Sequence, residues 1–108
     1  MTKTVEMVTS AGTMRIELDD VKAPASVANF LAYANANAYN NTVVHRSEPG
    51  FVVQAGGYRY SGALPLVTVA ANPSVINEPV FSNVRGTIAM AKLGGDPNSA
   101  TNQWFINL

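Results

Sequence analysis

Arg46 and Phe51 are the residues of this 108-residue chain best placed to act on a peptide. They flank Pro49-Gly50 in the stretch Val-Val-His-Arg-Ser-Glu-Pro-Gly-Phe-Val-Val-Gln-Ala-Gly-Gly-Tyr, which runs from Val43 to Tyr58. Proline presets φ, and glycine accepts the positive φ that a type II turn needs at its third residue. The stretch therefore reads as strand, tight turn, strand, ended by Gly56-Gly57. Side chains alternate along a strand, so Arg46 points away from His45, and Phe51 from Val52. If Arg46 and Phe51 share one side of the hairpin, a permanently charged fork of five donors stands beside an aromatic ring. Such a face suits a peptide.

Other chemistries find little support. The chain has no cysteine and a single histidine, which removes thiol chemistry and disfavours a His/Cys metal site. His45, on the opposite side from Arg46, reads as a buried, hydrogen-bonded histidine. Gly56-Gly57 and Gly94-Gly95 read as turn glycines, without the spacing or the strand-to-helix setting of a phosphate loop. Seven basic residues balance seven acidic ones, so nothing points to nucleic acid or an anionic membrane surface. The first residues contain no apolar signal core, and no apolar run approaches membrane-spanning length. This predicts a soluble, cytoplasmic protein, although a processed periplasmic form would read the same.

The elements that must position Arg46 can be taken in order. At this length the chain is one domain with a small core. Val5–Thr9 and Thr13–Leu18 form a hairpin around Ser10-Ala11-Gly12, with Met14, Ile16 and Leu18 inward and Arg15 and Glu17 outward. Pro24 suits the first position of a helix, and Val27, Phe30, Leu31 and Ala34 give it one apolar stripe. The asparagine-rich run from Asn35 to Asn41 ends that helix. After the central hairpin, Arg59–Pro79 is weakly patterned and punctuated by Gly62, Pro65, Pro73 and Pro79, with Leu66–Ala70 as a short strand. Thr87–Ala91 and Gln103–Leu108 are strands on either side of a loop. The last is strongly apolar and is expected to leave an unpaired edge, to be covered by further sequence or by another chain.

Five stretches together resemble the cyclophilins, the cyclosporin-binding peptidyl-prolyl isomerases, and the bacterial ones most. They are Ala23-Pro-Ala-Ser-Val-Ala-Asn-Phe30, Tyr39-Asn-Asn-Thr-Val-Val-His-Arg46, Pro49-Gly-Phe-Val-Val-Gln-Ala-Gly-Gly57, Arg85-Gly-Thr-Ile-Ala-Met-Ala91 and Ser99-Ala-Thr-Asn-Gln-Trp-Phe-Ile-Asn107. They follow one another in family order and cover nearly the whole chain. The resemblance implies a mainly β fold: a closed, eight-stranded antiparallel barrel capped by helices. It implies an isomerase (a rotamase assisting protein folding, chaperone-like) that interconverts cis and trans Xaa-Pro bonds without metal or cofactor. Its partners would be proline-containing peptides, unfolded or partly folded proteins, and cyclosporin. By position Arg46 matches the catalytic arginine. Phe51, Val52 and Phe105 match walls of the proline pocket, and Gln54, Ala91, Lys92 and Gln103 match the groove that aligns the peptide backbone.

The chain also departs from the family pattern. Ser47-Glu48 stands where two apolar residues are usual, and Glu48, two residues from Arg46, shares its side of a regular strand. Trp104 replaces a phenylalanine, and Lys92 an asparagine or arginine at a position that works through its backbone carbonyl. Residues 1–108 read as the N-terminal two-thirds of one cyclophilin-like domain. The final strands, the second helix and the Trp, Leu and His that close the proline pocket are expected to be missing from it. Two alternatives stand beside the enzyme: a non-catalytic proline-peptide binding module, and a folding fragment that pairs with a second segment to complete the barrel.

Overall fold

The computed structural model describes residues 2–78 and 82–108, so Pro79, expected to punctuate the long connection, lies outside them. The chain opens with an antiparallel hairpin of β1 (Thr2–Thr9) and β2 (Gly12–Asp19), joined by Ser10-Ala11 in register Thr9↔Gly12. Ile16 and Leu18 are buried as their spacing predicts. Met14 shares their side yet is 38% exposed, because it lines an open trough and not a closed core. Asp19 ends the hairpin with an Asx turn: its Oδ1 accepts the amides of Lys22 and Val21. Those bonds, Lys22 first, hold its carboxyl below the ordinary aspartate value.

Helix α1 spans Pro24–Asn35, with proline at the expected start. Val27, Phe30 and Tyr33 turn inward and Leu31 packs against them. The residue before the helix is Ala23, which offers no capping side chain. Glu78, far along the chain, supplies the missing acceptor: its carboxylate takes the amides of Ala25 at 3.3 Å and Ser26 at 2.7 Å. A negative group there also opposes the positive end of the helix dipole.

Five further strands form one chain path around a central sheet: β3 (Arg46–Glu48), β4 (Val52–Ala55), β5 (Tyr58–Arg59), β6 (Val67–Thr68) and β7 (Ile88–Met90), before β8 (Trp104–Asn107). The sheet order is β3-β4-β8-β7, all antiparallel, while β5 and β6 pair separately. This corrects the expectation for the last strand. β8 is not an edge but lies between β4 and β7, so the backbone groups on both of its sides are paired. The strongly apolar sequence of β8 is that of an interior strand. Among the described residues no sheet closes on itself by hydrogen bonds.

One core joins the pieces. Ile16, Leu18, Val27, Phe30, Ala55 and Trp104 are buried together, with Tyr39, Ile88, Met90 and Ile106 packed against them. The side of the sheet carrying Ala55 and Trp104 thus faces the first hairpin and α1. Between β2, α1 and β7–β8 the packing is open, leaving a trough of about 1010 Å³ lined by Ile16, Leu18, Phe30, Ile88, Met90 and Ile106, among others.

Candidate active site

The central hairpin forms as its residues dictate. Phe51 donates its amide to the Glu48 carbonyl at 3.0 Å, closing a turn around Pro49 and Gly50 in which Gly50 has φ 73°. Only glycine adopts that φ without strain, as a type II turn requires. The turn sets the register Arg46↔Gln54, and β8 and β7 continue the row with Phe105 and Ala89. Arg46, Gln54 and Phe105 therefore stand side by side on the face turned away from the core. Val52 belongs to the same face but is buried at its base.

Three contacts define the Arg46 side chain. Its guanidinium carbon lies 5.6 Å from the centre of the exposed Phe51 ring, within cation–π range. Its Nη1 donates to Gln54 Oε1 at 3.5 Å, a long and weak bond. Its Nε is 3.7 Å from Glu48 Oε1, the two side chains being 47% and 55% exposed. Gln54 in turn donates from Nε2 to Gln103 Oε1 at 2.7 Å, and the Gln103 carbonyl accepts the Ala91 amide at 2.9 Å. A polar chain thus runs Arg46, Gln54, Gln103, Ala91 across the strands. Arg46 is exposed and Gln54 and Gln103 are half-buried, so this row of donors and acceptors is accessible and can serve as one wall of a peptide groove. Lys92 follows Ala91, but its Nζ turns away to Asn77 Oδ1 at 2.9 Å.

The structure corrects the expectation for His45. It is exposed, not buried, and its ring meets the edge of Tyr58 at 5.0 Å between centroids. It directly precedes β3, the edge strand of the sheet, and its amide donates to the Gln54 carbonyl at 3.2 Å.

The residues that hold this groove in place were not all visible in the sequence. Gly56 and Gly57 are buried seats, not simple turn glycines. A Cβ on Gly56 would meet the Asn102 carbonyl oxygen at 2.7 Å and the Trp104 ring at 2.9 Å; one on Gly57 would meet the Gln103 side chain at 2.6 Å. The segment Thr101–Gln103 is pinned from three directions. Asn29 Nδ2 donates to the Thr101 carbonyl at 2.7 Å, Tyr39 Oη to the Asn102 carbonyl at 2.8 Å, and buried Asn102 Nδ2 to the Val69 carbonyl at 2.9 Å. Burial, with the nearby Tyr33, pushes the Tyr39 phenol well above its ordinary pKa, so it stays a donor. The glycine pair directly after an apolar strand was the available signal for the close approach. Nothing in the order of residues marks Asn102 or Tyr39 as its partners.

The family model for cyclophilin type peptidyl-prolyl cis-trans isomerase/CLD matches residues 4–108. The chain belongs to the cyclophilin family. It is 46% identical over 106 residues to a peptidyl-prolyl cis-trans isomerase A of Dickeya dadantii, covering 96% of this chain and 53% of that protein. It is 41% identical over 102 residues to peptidyl-prolyl cis-trans isomerase B of Escherichia coli, covering 93% of this chain and 59% of that one. The chain spans about half the length of the first of these cyclophilins. Among solved structures, a Cryptosporidium parvum cyclophilin type peptidyl-prolyl cis-trans isomerase, crystallised in the presence of the dipeptide Ala-Pro, superposes with a TM-score of 0.78 at 27% identity, covering 97% of this chain and 67% of that one. The mainly β architecture with its single described helix is thus a cyclophilin fold, although among the described residues the strands are not joined into a closed barrel by hydrogen bonds.

Proposed function

We propose that the Arg46 face binds Xaa-Pro segments of unfolded or partly folded chains and accelerates their cis/trans interconversion. The observation that supports this reading is the row Arg46, Gln54 and Phe105 with Phe51 beside it and Gln103 bonded behind it, on one accessible face. Rotation about a peptide bond is opposed by amide resonance, with a barrier of about 18–20 kcal/mol. No covalent bond breaks, so neither nucleophile nor general base is needed. As the bond twists, the prolyl nitrogen loses resonance and becomes a better hydrogen-bond acceptor. In this reading Arg46 donates to that nitrogen and so binds the twisted state more tightly than either planar one. Each tenfold in rate requires about 1.4 kcal/mol of such differential binding.

The remaining residues take positional roles in the same reading. Phe51, Val52 and Phe105 hold the proline ring, whose apolar surface prefers them to water. Gln54 and Gln103, with the backbone at Ala91 and Lys92, align the peptide. Cyclosporin, an apolar peptide, would occupy the same groove. The test is exchange of an Xaa-Pro peptide followed by NMR, with purified chain and its Arg46→Ala variant. Loss of rate by about 100-fold or more on substitution is expected. Turnover unchanged by Arg46→Ala overturns the role of Arg46. No turnover with retained proline-peptide binding replaces the enzyme by a binding module.

The open trough favours a second reading that is compatible with the first. Its apolar lining suits a complementary polypeptide segment that would pair with the free strand edges and complete the barrel. Sedimentation across a concentration series tests self-pairing: association that grows with concentration supports it, and a monomer at every concentration removes it.

A further inference from the structure

Glu48 is an unusual neighbour for Arg46. It lies two residues along β3 on the same face, across from Val52, and its carboxylate is the acidic group in contact with the guanidinium. The contact is loose: a single oxygen at 3.7 Å, with both side chains about half exposed. Exposed pairs of this kind are weak, because water and salt compete for both charges. Glu48 is therefore not consumed by Arg46. It remains a negative charge at the rim of the groove, beside the exposed Phe51 ring and the turn at Pro49-Gly50.

We propose that Glu48 is a specificity-determining residue, selecting proline peptides that carry a lysine or arginine next to the Xaa-Pro bond over those that carry an acid. This rests on the reading that the Arg46 face binds proline peptides. The amide that Arg46 is to act on is neutral and brings no counter-charge. Without Glu48, the lone guanidinium would attract acidic side chains of a peptide and be held by them away from the prolyl nitrogen. With Glu48 in place, an acid meets repulsion at the rim, while a cation finds an acceptor. Two unit charges about 4 Å apart in a water-like medium interact strongly enough to change a binding ratio by about fivefold. Peptides flanked by Lys and by Glu, read against each other, should therefore differ by about three- to tenfold.

The experiment uses the chain with Glu48, Glu48→Gln and Glu48→Lys, and two peptides identical except for Lys or Glu before the Xaa-Pro pair. For each, kcat/KM by NMR exchange and Kd by NMR titration are measured at low and at high salt. The original chain should favour the lysine peptide several-fold. Glu48→Gln, which leaves the Arg46 cation uncompensated, should tip the preference toward the glutamate peptide, Glu48→Lys should do so more strongly, and high salt should erase either preference. Glu48 is exposed, so these variants are expected to fold. If the chain binds peptides without turning them over, the enzymatic reading fails while the Kd ratios still decide the selector. A preference that is absent in the original chain, or that survives Glu48→Gln, overturns the proposal, as does failure of both peptides to bind.

Discussion

The central hairpin and the connection that follows it are built on opposite principles. In β3–turn–β4, the contacts that close the hairpin are between residues close in sequence: Phe51 with Glu48 across the turn, Arg46 with Gln54 across the strands. From Tyr60 to Glu78 regular structure amounts to the two-residue strand β6, and the contacts that hold the path come from far away. Tyr33 Oη accepts the Asn72 amide at 2.7 Å, Asn102 reaches the Val69 carbonyl, Val75 bridges to Ala100, and Glu78 caps α1. The hairpin carries Arg46, Phe51, Val52 and Gln54 of the groove. The connection carries the props that keep Thr101–Gln103 and the start of α1 where the groove needs them. A local device can be read from its residues one by one. A set of props can be read only once the parts that they join are in place.

Substitutions can break each side of this contrast. The largest effect is expected at the end of the hairpin, where Gly56 has φ 95° and lies under Trp104 and Asn102. Gly56→Ala adds left-handed strain to a clash with backbone and ring, and should cost about 3 kcal/mol in urea unfolding. That is a large share of a small domain's stability. Stability unchanged by Gly56→Ala would show that strand β8 yields there.

Asn102→Ala tests the props. It removes a buried amide and leaves the Val69 carbonyl without its donor, so about 2 kcal/mol should be lost. Amide hydrogen exchange sharpens the comparison. Protection should fall in the connection and around Gln103, while the amide of Phe51 in the hairpin turn stays protected. Equal loss in both regions would mean that hairpin and connection form one cooperative unit.

Glu78→Gln should have the smallest effect and a distinctive pH dependence. Partial desolvation raises the Glu78 carboxyl, but the Ser26 amide and hydroxyl and the Ala25 amide outweigh it, leaving the pKa below the ordinary glutamate value. A carboxyl lowered on folding contributes stability that is fully present above its unfolded value and is lost as pH falls through the folded one. The advantage of the original chain over the Glu78→Gln variant should therefore be visible at about pH 7 and fade by about pH 3. The check is urea unfolding of both proteins at the two pH values; a difference that grows on acidification would contradict the capping role.

Much of the molecule was legible in advance, and the exceptions share a cause. The first hairpin, the helix start at Pro24, the type II turn at Pro49-Gly50 and strand β7 near Thr87–Ala91 all rest on periodicity or on residues with restricted φ. The place of Phe51 beside Arg46 was left open by the sequence: strict alternation would put Phe51, next to Val52, on the side opposite Arg46, and its position in the turn brings the ring back to the guanidinium. Three expectations failed, the reading of Gly56-Gly57 as plain turn glycines among them. Gln103–Leu108 was expected at an edge and lies inside the sheet, and His45 was expected to be buried and is exposed. Alternation tells which residues share a face, but not whether another layer covers that face or which strands flank it.

By itself, then, the sequence determined the local devices: where strands turn, where the helix begins, and which side chains stand with Arg46 on one side of a strand. These depend on φ preferences and on repeats of two or 3.6 residues, which act between near neighbours. The tertiary structure decided the rest. It put β8 between β4 and β7, used Gly56 and Gly57 as seats for Trp104 and Gln103, and brought Glu78 to a helix that Ala23 leaves uncapped. Each of those depends on groups many residues apart satisfying one another's hydrogen bonds or filling one another's space, and no short-range pattern in the chain encodes that pairing.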